Sequence, residues 1–271
     1  MNYIESNKAA WEEAFDNRLQ NWGDNNHELL RKEKLYFFNP DMRKELAKIN
    51  LKDSVVAHFC CNNGRELLSL SEYGIKSGIG FDIAENIITQ ARETAEKAGI
   101  SNCEFISCNI FEIPDNYHNQ FDVILFTIGA LTWFQDLTLL FAKVGKCLKD
   151  GGLLLINDSH PLLYMLPIPG EEEFDPDHPN RLTHSYFRKE PWLDNSGMGY
   201  ISGEYESKTF TCFTHKMSDI INGLSLNGMK TIMLNEYDYD IGITDVYENK
   251  GFPLSYILIA EKCESGDGDV K

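Results

Sequence analysis

Polar residues follow the first apolar, β-branched segment of the chain, at a point where a bound molecule could be held. Residues 55–61 are typical of a strand, and the N-N-G turn at 62–64 comes directly after them. Asp82 ends a second short apolar segment, 18 residues beyond Gly64. A carboxylate in this position can accept hydrogen bonds from both hydroxyls of a ribose, although a strand-end cap is an alternative role. The spacing predicts a ligand site at this edge of the sheet.

Further polar residues stand at the ends of the next predicted strands. Asn109 and Ile110 follow a third strand. Thr127 ends a fourth strand, and His160 follows a fifth. Because parallel strands present their carboxyl ends at one edge of a sheet, these residues are expected near Asp82. A neutral His160 could take a proton from a reacting oxygen or nitrogen.

The elements that must position these residues alternate regularly along the chain. Strands are predicted at residues 55–61, 78–82, 103–107, 121–127 and 153–157, and helices at 65–73, 84–98 and 137–148. This alternation predicts an α/β fold with a doubly wound, mostly parallel sheet. A helix at 217–226 and two later strands at 230–237 and 254–261 would complete a seven-stranded sheet.

The remaining segments are expected to surround this sheet. Residues 3–34 carry aromatic side chains at helical spacing, so residues 1–48 are predicted to form an N-terminal helical lid. Residues 161–214 are rich in Tyr, Phe, Pro and Asp, which predicts a β-rich insertion after the fifth strand. The composition of residues 264–271 indicates a disordered tail. Since no repeat or linker divides the chain, a single domain is predicted over 1–271.

The composition limits the partners that we expect. Asp and Glu outnumber Lys and Arg by 42 to 25, which gives a formal net charge of −17. Such a charge repels phosphate backbones and anionic lipids, so we expect neither a nucleic acid nor a membrane as a partner. The seven cysteines form no C-x-x-C pair, and the N-terminus is unlike a secretory signal. These features predict reduced thiols in a cytoplasmic protein.

Residues 56–70, VAHFCCNNGRELLSL, stand where one enzyme family has the motif V-L-D-L-G-C-G-x-G. Cys60 and Asn62 occupy the first two glycine positions, and Gly64 matches the third. The stretches GIGFDI, FDVI and LKDGGLLL match later motifs at the expected distances. In this order of motifs the chain resembles the class I S-adenosylmethionine-dependent methyltransferases, well over residues 50–160 and loosely over the last 40 residues.

The resemblance implies a Rossmann-like sheet whose last strand is antiparallel, and transfer of a methyl group to an O, N or C atom of a small molecule. The implied cofactor is S-adenosylmethionine, and no metal is expected. Contacts to the cofactor are implied for Phe59, Cys60, Cys61, Asn62, Gly64, Asp82, Ile83, Asn109, Ile110 and Thr127. Glycines in this loop either take a positive φ or let the backbone approach the ligand closely, and Asn tolerates a positive φ better than most other residues.

A narrower resemblance concerns a group of bacterial methyltransferase-like proteins. This chain shares with them residues 58–70, the G-A-L-x-W stretch at 129–133, the His-Pro pair at 160–161 and the aromatic-x-His stretch at 213–215. The candidates on the acceptor side are His160, as base or substrate contact, and Trp133, Tyr164 and His215, although each also fits a structural role. Two alternatives remain open, a non-catalytic binding module and a Rossmann-type oxidoreductase, and the missing G-x-G-x-x-G argues against the second.

Overall fold

Segments rich in Val, Ile, Leu and Phe form the strands of the fold. A computed structural model describes residues 2–175, 177–178 and 181–264. Its strands are β1 (Val55–Phe59), β2 (Ser77–Asp82), β3 (Cys103–Ser107), β4 (Phe121–Thr127), β5 (Leu148–Ser159), β6 (Trp192–Asp194), β7 (Phe210–Cys212), β8 (Met229–Tyr237) and β9 (Ser255–Lys262). Seven of them make one sheet in the order β3-β2-β1-β4-β5-β9-β8, and β6 pairs with β7.

The register of the sheet confirms the predicted α/β fold. β1 runs parallel to β2 and to β4, and β2 runs parallel to β3. β9 is antiparallel to both of its neighbours, β5 and β8. The order of the strands reverses between β1 and β4, because β1 continues to β2 and β3 on one side while β4 and β5 lie on the other. In doubly wound sheets, ligands bind beyond the carboxyl ends of the strands at such a reversal.

Three helices precede the first strand, and the others lie in the connections between strands. They are α1 (Tyr3–Asp16), α2 (Asn26–Lys32), α3 (Pro40–Leu46), α4 (Arg65–Ser69), α5 (Glu85–Ala98), α6 (Leu137–Cys147), α7 (Gly199–Ser202) and α8 (Met217–Leu226). Asn39 begins α3 by accepting a hydrogen bond from Met42 N at 2.7 Å, and Gly99 ends α5 with a φ of +74°.

The chain divides into two compact units. The first runs through Leu125 and includes Lys146–Lys149 and Trp192–Thr211. The second contains Phe126–Gly145, Asp150–Pro191 and the chain from Cys212 onward. Three aromatic rings on β1, β2 and β4 pack edge to face in the first unit, with centroids 5.6 to 6.4 Å apart, and they are Phe59, Phe81 and Phe121. All three are fully buried, so they fix how these strands pack.

The N-terminal region contains three helices where the sequence predicts one helical run over residues 3–34. The chain leaves α1 at Asn17, whose φ of −91° and ψ of 11° are outside the helical region, and Asn21 and Gly23 then take a positive φ, of 67° and 77°. Within the first unit, the side chain of Asn7 on α1 pairs with the backbone of Thr211, donating to its carbonyl at 2.9 Å and accepting from its N–H at 2.7 Å. The helix is thus joined to a strand 204 residues away.

The segment predicted as an insertion is shared by the two units. Its regular elements are the three-residue strands β6 and β7, the helix α7 and a short 3-10 helix at Leu163–Met165, and most of the rest of its described part is irregular. Residues 192–211 belong to the first unit, and residues 161–191 to the second. Of the predicted disordered tail, 264–271, all residues beyond Glu264 lie outside the described part of the chain. The prediction of a single domain stays a prediction.

Candidate functional site

The loop that follows β1, residues 60–64 (the β1 loop), enters the left-handed region three times. Cys60, Asn62 and Gly64 have φ values of 56°, 49° and 73°. These are the three positions that the motif alignment assigns to glycine. Left-handed backbone is costly for most side chains and least so for Gly and Asn. The loop therefore keeps the path of a glycine-rich turn although two of the three residues carry side chains.

Close packing adds a second requirement at the third position. A Cβ built on Gly64 would lie 2.2 Å from Phe105 Cε1, and one on Gly80 would lie 2.6 Å from Phe105 Cδ1. The Phe105 ring, on β3, is 5% exposed and occupies the space that these side chains would need. Glycine at 64 and 80 lets the loop and β2 approach this ring.

Asp82 connects the β1 loop to the end of β2. Its Oδ2 accepts from Asn62 N at 2.8 Å, and its Oδ1 accepts from Ala84 N at 3.1 Å. Burial raises the pKa of this carboxyl, and the backbone N–H groups around it oppose that rise. The residue is half-buried, so part of its surface can still meet a ligand. Each carboxylate oxygen has a second lone pair, which can accept from a hydroxyl.

The turn after β3 lies beside the same end of the sheet. Cys108 N donates to Asp82 O at 2.7 Å, which joins this turn to β2. Asn109 Oδ1 accepts from Phe111 N at 3.1 Å, so a further bond from an adenine amino group would use its remaining lone pair. Ile110 is 4% exposed, and Ile83 is half-buried. The first unit therefore brings together every predicted cofactor residue except Thr127.

The arrangement fits a nucleoside on chemical grounds. The first unit contains a half-buried carboxylate that can bind a ribose and an amide that can bind a base. Beside them is a loop whose backbone a ligand can approach closely. Cys61 and Phe59 are fully buried, so neither presents its side chain to a ligand.

A buried carboxylate organises the corresponding loop of the second unit. Thr127 ends β4, and the next residue, Ile128, has a φ of 27°. Asp158 is 3% exposed, and its Oδ1 accepts from Gly129 N at 2.7 Å while its Oδ2 accepts from Leu131 N at 3.0 Å. This carboxylate holds the start of the G-A-L-T-W stretch in place. It thereby keeps the preceding residue, Ile128, in a positive-φ conformation that isoleucine otherwise avoids.

Tyr164 lies in a group of neutral hydroxyls in the same unit. The side chains of Ser159 and Thr132 lie beside its hydroxyl. Thr132 Oγ1 donates its hydrogen to Phe213 O at 3.0 Å. Burial raises the pKa of the Tyr164 hydroxyl, and Asp158 raises it further. The group can orient an acceptor through hydrogen bonds but stays neutral at pH 7.

Both ring nitrogens of His160 are engaged within the second unit. Nδ1 accepts from Leu162 N at 3.1 Å, so the ring hydrogen is on Nε2, which donates to Glu236 Oε1 at 2.9 Å. The residue is 7% exposed, and burial lowers its pKa, with Glu236 acting in the opposite direction. In this arrangement no ring nitrogen is left to take a proton from an acceptor. The catalytic role stays a prediction, and the geometry favours the structural alternative.

The aromatic-x-His stretch contacts the loop after β4. His215 Nε2 is 3.2 Å from Leu131 O, and Phe213 N donates to Thr132 O at 2.8 Å. Burial lowers the pKa of His215. Trp133 is half-buried in the same turn. These contacts show that two of the sequence motifs meet in space, and they give His215 a structural role that it can combine with substrate contact.

His58, at the acidic position of the first motif, is a packed residue of β1. It is 1% exposed, and burial lowers its pKa from 6.5 to about 4, while Glu66 raises the value and Arg65 lowers it. A neutral imidazole inside a strand fits packing and not ligand binding.

Acid is expected to destabilise the wild-type protein through His58. Because the folded-state pKa is depressed, the unfolded chain binds the proton more tightly. The contribution of His58 to the free energy of unfolding is therefore fully present above pH 6.5 and is lost as the pH falls towards 4, by up to about 3 kcal/mol. When the free energy of unfolding is measured with urea at several pH values, it should fall less steeply with decreasing pH in His58→Gln than in the wild type. His178→Gln is the control, since the His178 side chain is 78% exposed; an unchanged slope in His58→Gln would refute this origin.

Sequence analysis missed two parts of this region. Asp158 could have been noticed, because a lone acid inside an otherwise apolar strand needs partners. The contacts of Asn63 with Gln90 and of Asn62 with Tyr200 join residues far apart in sequence, at 3.2 and 3.5 Å, and no local pattern indicates them.

Neither a metal site nor a membrane-spanning helix is found in the part of the chain that the structure describes. No group of three or more His, Cys, Asp or Glu side chains is placed there to hold a metal ion. None of the helices in that part of the chain is long and apolar enough to cross a bilayer.

Comparison with known proteins identifies the family. A family model described as a methyltransferase domain matches residues 52–187, which is half of the chain. The chain belongs to this methyltransferase family. The membership confirms the expected enzyme class, and with it S-adenosylmethionine as the expected methyl donor. The nucleoside fit of the first unit is consistent with that donor.

Solved structures of methyltransferases share the fold of this family member. An S-adenosylmethionine-dependent methyltransferase from Mesorhizobium loti has a TM-score of 0.62 at 17% identity, covering 86% of this chain and 99% of that one. A second, from Methanosarcina mazei, has a TM-score of 0.57 at 18% identity, covering 83% and 98%. At these identities the likeness establishes the fold.

Curated relatives of this methyltransferase are similar over part of their length. Demethylmenaquinone methyltransferase of Lactococcus lactis is 32% identical over 111 residues, which are 40% of this chain and 43% of the relative. The tRNA U34 carboxymethyltransferase of Helicobacter acinonychis is 33% identical over 113 residues, which are 40% of this chain and 41% of the relative. The match thus spans less than half of either relative.

The prediction that excluded nucleic acids as partners is wrong. Relatives of this methyltransferase, from Helicobacter acinonychis and Campylobacter fetus, are named for a tRNA substrate. The prediction relied on a net charge of −17, which sums the whole surface. Binding of a phosphate backbone depends on the local potential at the contact, and a net charge does not determine that potential.

Proposed function

We propose that this protein transfers a methyl group from S-adenosylmethionine to an O, N or C nucleophile of a small molecule. The observation that supports it most is the β1 loop, where Cys60, Asn62 and Gly64 all keep a positive φ beside the half-buried Asp82. A decayed loop would have no reason to keep this backbone path with side chains that disfavour it.

The residues of the first unit are assigned to the donor. Asp82 would accept from the ribose hydroxyls, Asn109 from the adenine amino group, and Ile110 would pack against the base. When bound, S-adenosylmethionine supplies a methyl group on a positively charged sulfur, which is already activated. Most of the rate acceleration would then come from proximity and orientation of the acceptor.

Side chains of the second unit are assigned to the acceptor. Tyr164, Thr132 and Ser159 present hydroxyls that can orient a polar group by hydrogen bonds. Demethylmenaquinone, in the name of one relative, is a small molecule and supports this class of acceptor. We also assign the protein to a reducing compartment such as the cytoplasm, because none of its seven cysteines forms a disulfide.

A nucleic-acid acceptor is the second candidate, and the similarity to tRNA U34 carboxymethyltransferases favours it. The two candidates can be distinguished by incubating the purified protein with methyl-labelled S-adenosylmethionine and a cell extract, and then finding which fraction carries the label. Label in the small-molecule fraction supports the first proposal, and label in RNA supports the second. Calorimetry with S-adenosylmethionine and S-adenosylhomocysteine tests the shared step, and no binding of either at about 1 mM would contradict both proposals.

Removing the Asp82 carboxylate is expected to weaken the binding of S-adenosylhomocysteine. Asp82→Ala loses charge-assisted hydrogen bonds worth about 1.5–3 kcal/mol, which is a drop in affinity of roughly 10- to 150-fold. Calorimetry measures it, with thermal unfolding to detect damage to the β1 loop. Glu93→Ala, on the exposed side of α5, removes the same charge and should bind normally. An Asp82→Ala protein that folds and binds as tightly as the wild type would refute the assignment.

A further inference from the structure

The short helix α7 carries an exposed aromatic side chain close to the β1 loop. Tyr200 is 52% exposed, whereas its neighbour Ile201 is fully buried. The Ile201 carbonyl accepts from Leu19 N at 2.7 Å, which holds α7 against the segment after α1. Gly203 follows α7 with a φ of 70°. The backbone of Tyr200 is therefore fixed although its side chain reaches solvent.

Polar groups of the first unit lie around this side chain. The Tyr200 hydroxyl is 3.5 Å from Asn62 Nδ2, and the charges of Arg65, Glu66 and Asp82 all act on it. The ring centroid lies 6.3 Å from that of Trp22, with the planes tilted by 54°. We call Trp22 and Tyr200 the aromatic pair. Its polar end points to the residues assigned above to the ribose and to the loop.

Trp22 is tied to the same loop by a chain of side-chain amides. Asn63 Nδ2 donates to Gln90 Oε1 at 3.2 Å, and Gln90 Nε2 donates to Trp22 O at 3.0 Å. The next residue, Gly23, touches Gln90 so closely that a Cβ there would lie 2.5 Å from Oε1. The turn that carries Trp22 is thus positioned by the β1 loop itself.

We propose that the aromatic pair covers S-adenosylmethionine on its ribose and methionine side, so that the segment 192–211 supplies a donor-binding residue, Tyr200. The inference rests on the proposed function. A tyrosine has few rotatable bonds, so it offers a large rigid contact area at a low entropic cost, and its hydroxyl can keep the hydrogen bond to Asn62. The ribose and the amino-acid chain are common to S-adenosylmethionine and S-adenosylhomocysteine, which differ in the methyl group and in the charge on sulfur. A contact to the shared parts lets Tyr200 contribute equally to binding both.

Calorimetry with both compounds tests this role. Tyr200→Ala is expected to bind each about tenfold more weakly, and Tyr200→Phe to stay within about threefold of the wild type because it keeps the ring. Leu193→Ala is the control, since Leu193 is 67% exposed on β6 of the same unit and should not affect binding. A loss confined to S-adenosylmethionine, or no loss in Tyr200→Ala, overturns the inference. A wild type that binds neither compound refutes the proposed function instead.

Tryptophan fluorescence gives an independent readout. Addition of S-adenosylhomocysteine is expected to change the emission of the wild type, because Trp22 would be covered on binding. Trp22→Phe should lose most of that change, whereas Trp192→Phe should retain it. If the change is as large in Trp22→Phe as in the wild type, Trp22 does not lie over the donor and the inference fails.

Discussion

Asp158→Ala is expected to lower the free energy of unfolding by about 3–4 kcal/mol. The carboxylate is 3% exposed and accepts from three backbone N–H groups, those of Gly129, Leu131 and Ser159. Truncation would leave these donors buried without partners and would release the strained backbone at Ile128. Urea unfolding followed by circular dichroism measures the loss.

The matched control for this variant is Asp122→Ala. Asp122 also accepts from a backbone N–H, that of Val55, at 2.7 Å, and from Lys149 Nζ at 2.7 Å, but its side chain is 36% exposed. Water can replace those partners, so a loss of about 1 kcal/mol or less is expected. Equal losses for the two variants would show that Asp158 does not organise the loop after β4.

The second large effect is expected for Gly64→Ala. An alanine there would have to keep a φ near 73° and would place its Cβ 2.2 Å from Phe105 Cε1. The backbone strain costs about 1–2 kcal/mol, and the overpacking adds roughly 1–3 kcal/mol. A total loss of about 3 kcal/mol in stability and weaker binding of S-adenosylhomocysteine are expected, as measured by denaturation and calorimetry.

Gly99→Ala separates the two causes. Gly99 has a φ of 74°, almost the same as Gly64, but a Cβ there would meet nothing within 4 Å. This variant should therefore lose only the backbone contribution, about 1–2 kcal/mol, and should bind normally. If both variants lose the same stability, contact with Phe105 does not restrict residue 64.

Structural features that depend on residues close together in the sequence could be predicted, and those that depend on distant residues could not. The bounds of β4 at 121–127 and of α8 at 217–226 follow from apolar patterning alone, because a buried strand and an amphipathic helix leave periodic signatures. The break after α1 was not predicted, because apolar residues continue at helical spacing through Leu19 and Trp22 although Asn21 takes a positive φ.

The candidate site divides in the same way. The three left-handed positions and Asp82 follow from the motif, because the backbone path of a turn is encoded locally. The bonds of His160 to Leu162 and Glu236 depend on where β8 lies, so the sequence could not show that its ring nitrogens are occupied. Contacts between segments that are distant in the sequence can be identified only once the three-dimensional structure is known.

The pairing of Asn7 with Thr211 has a consequence for synthesis on the ribosome. Residues 2–125 emerge first, but the backbone that completes the hydrogen bonds of α1, and the helix α7 that accepts from Leu19, are translated far later. Until Thr211 has left the exit tunnel, the nascent chain leaves Asn7 without its backbone partner and Trp11 without the Phe210 ring that packs against it. The first unit begins to fold early but cannot finish before residue 211 is translated, and during this interval it is open to proteases and to self-association.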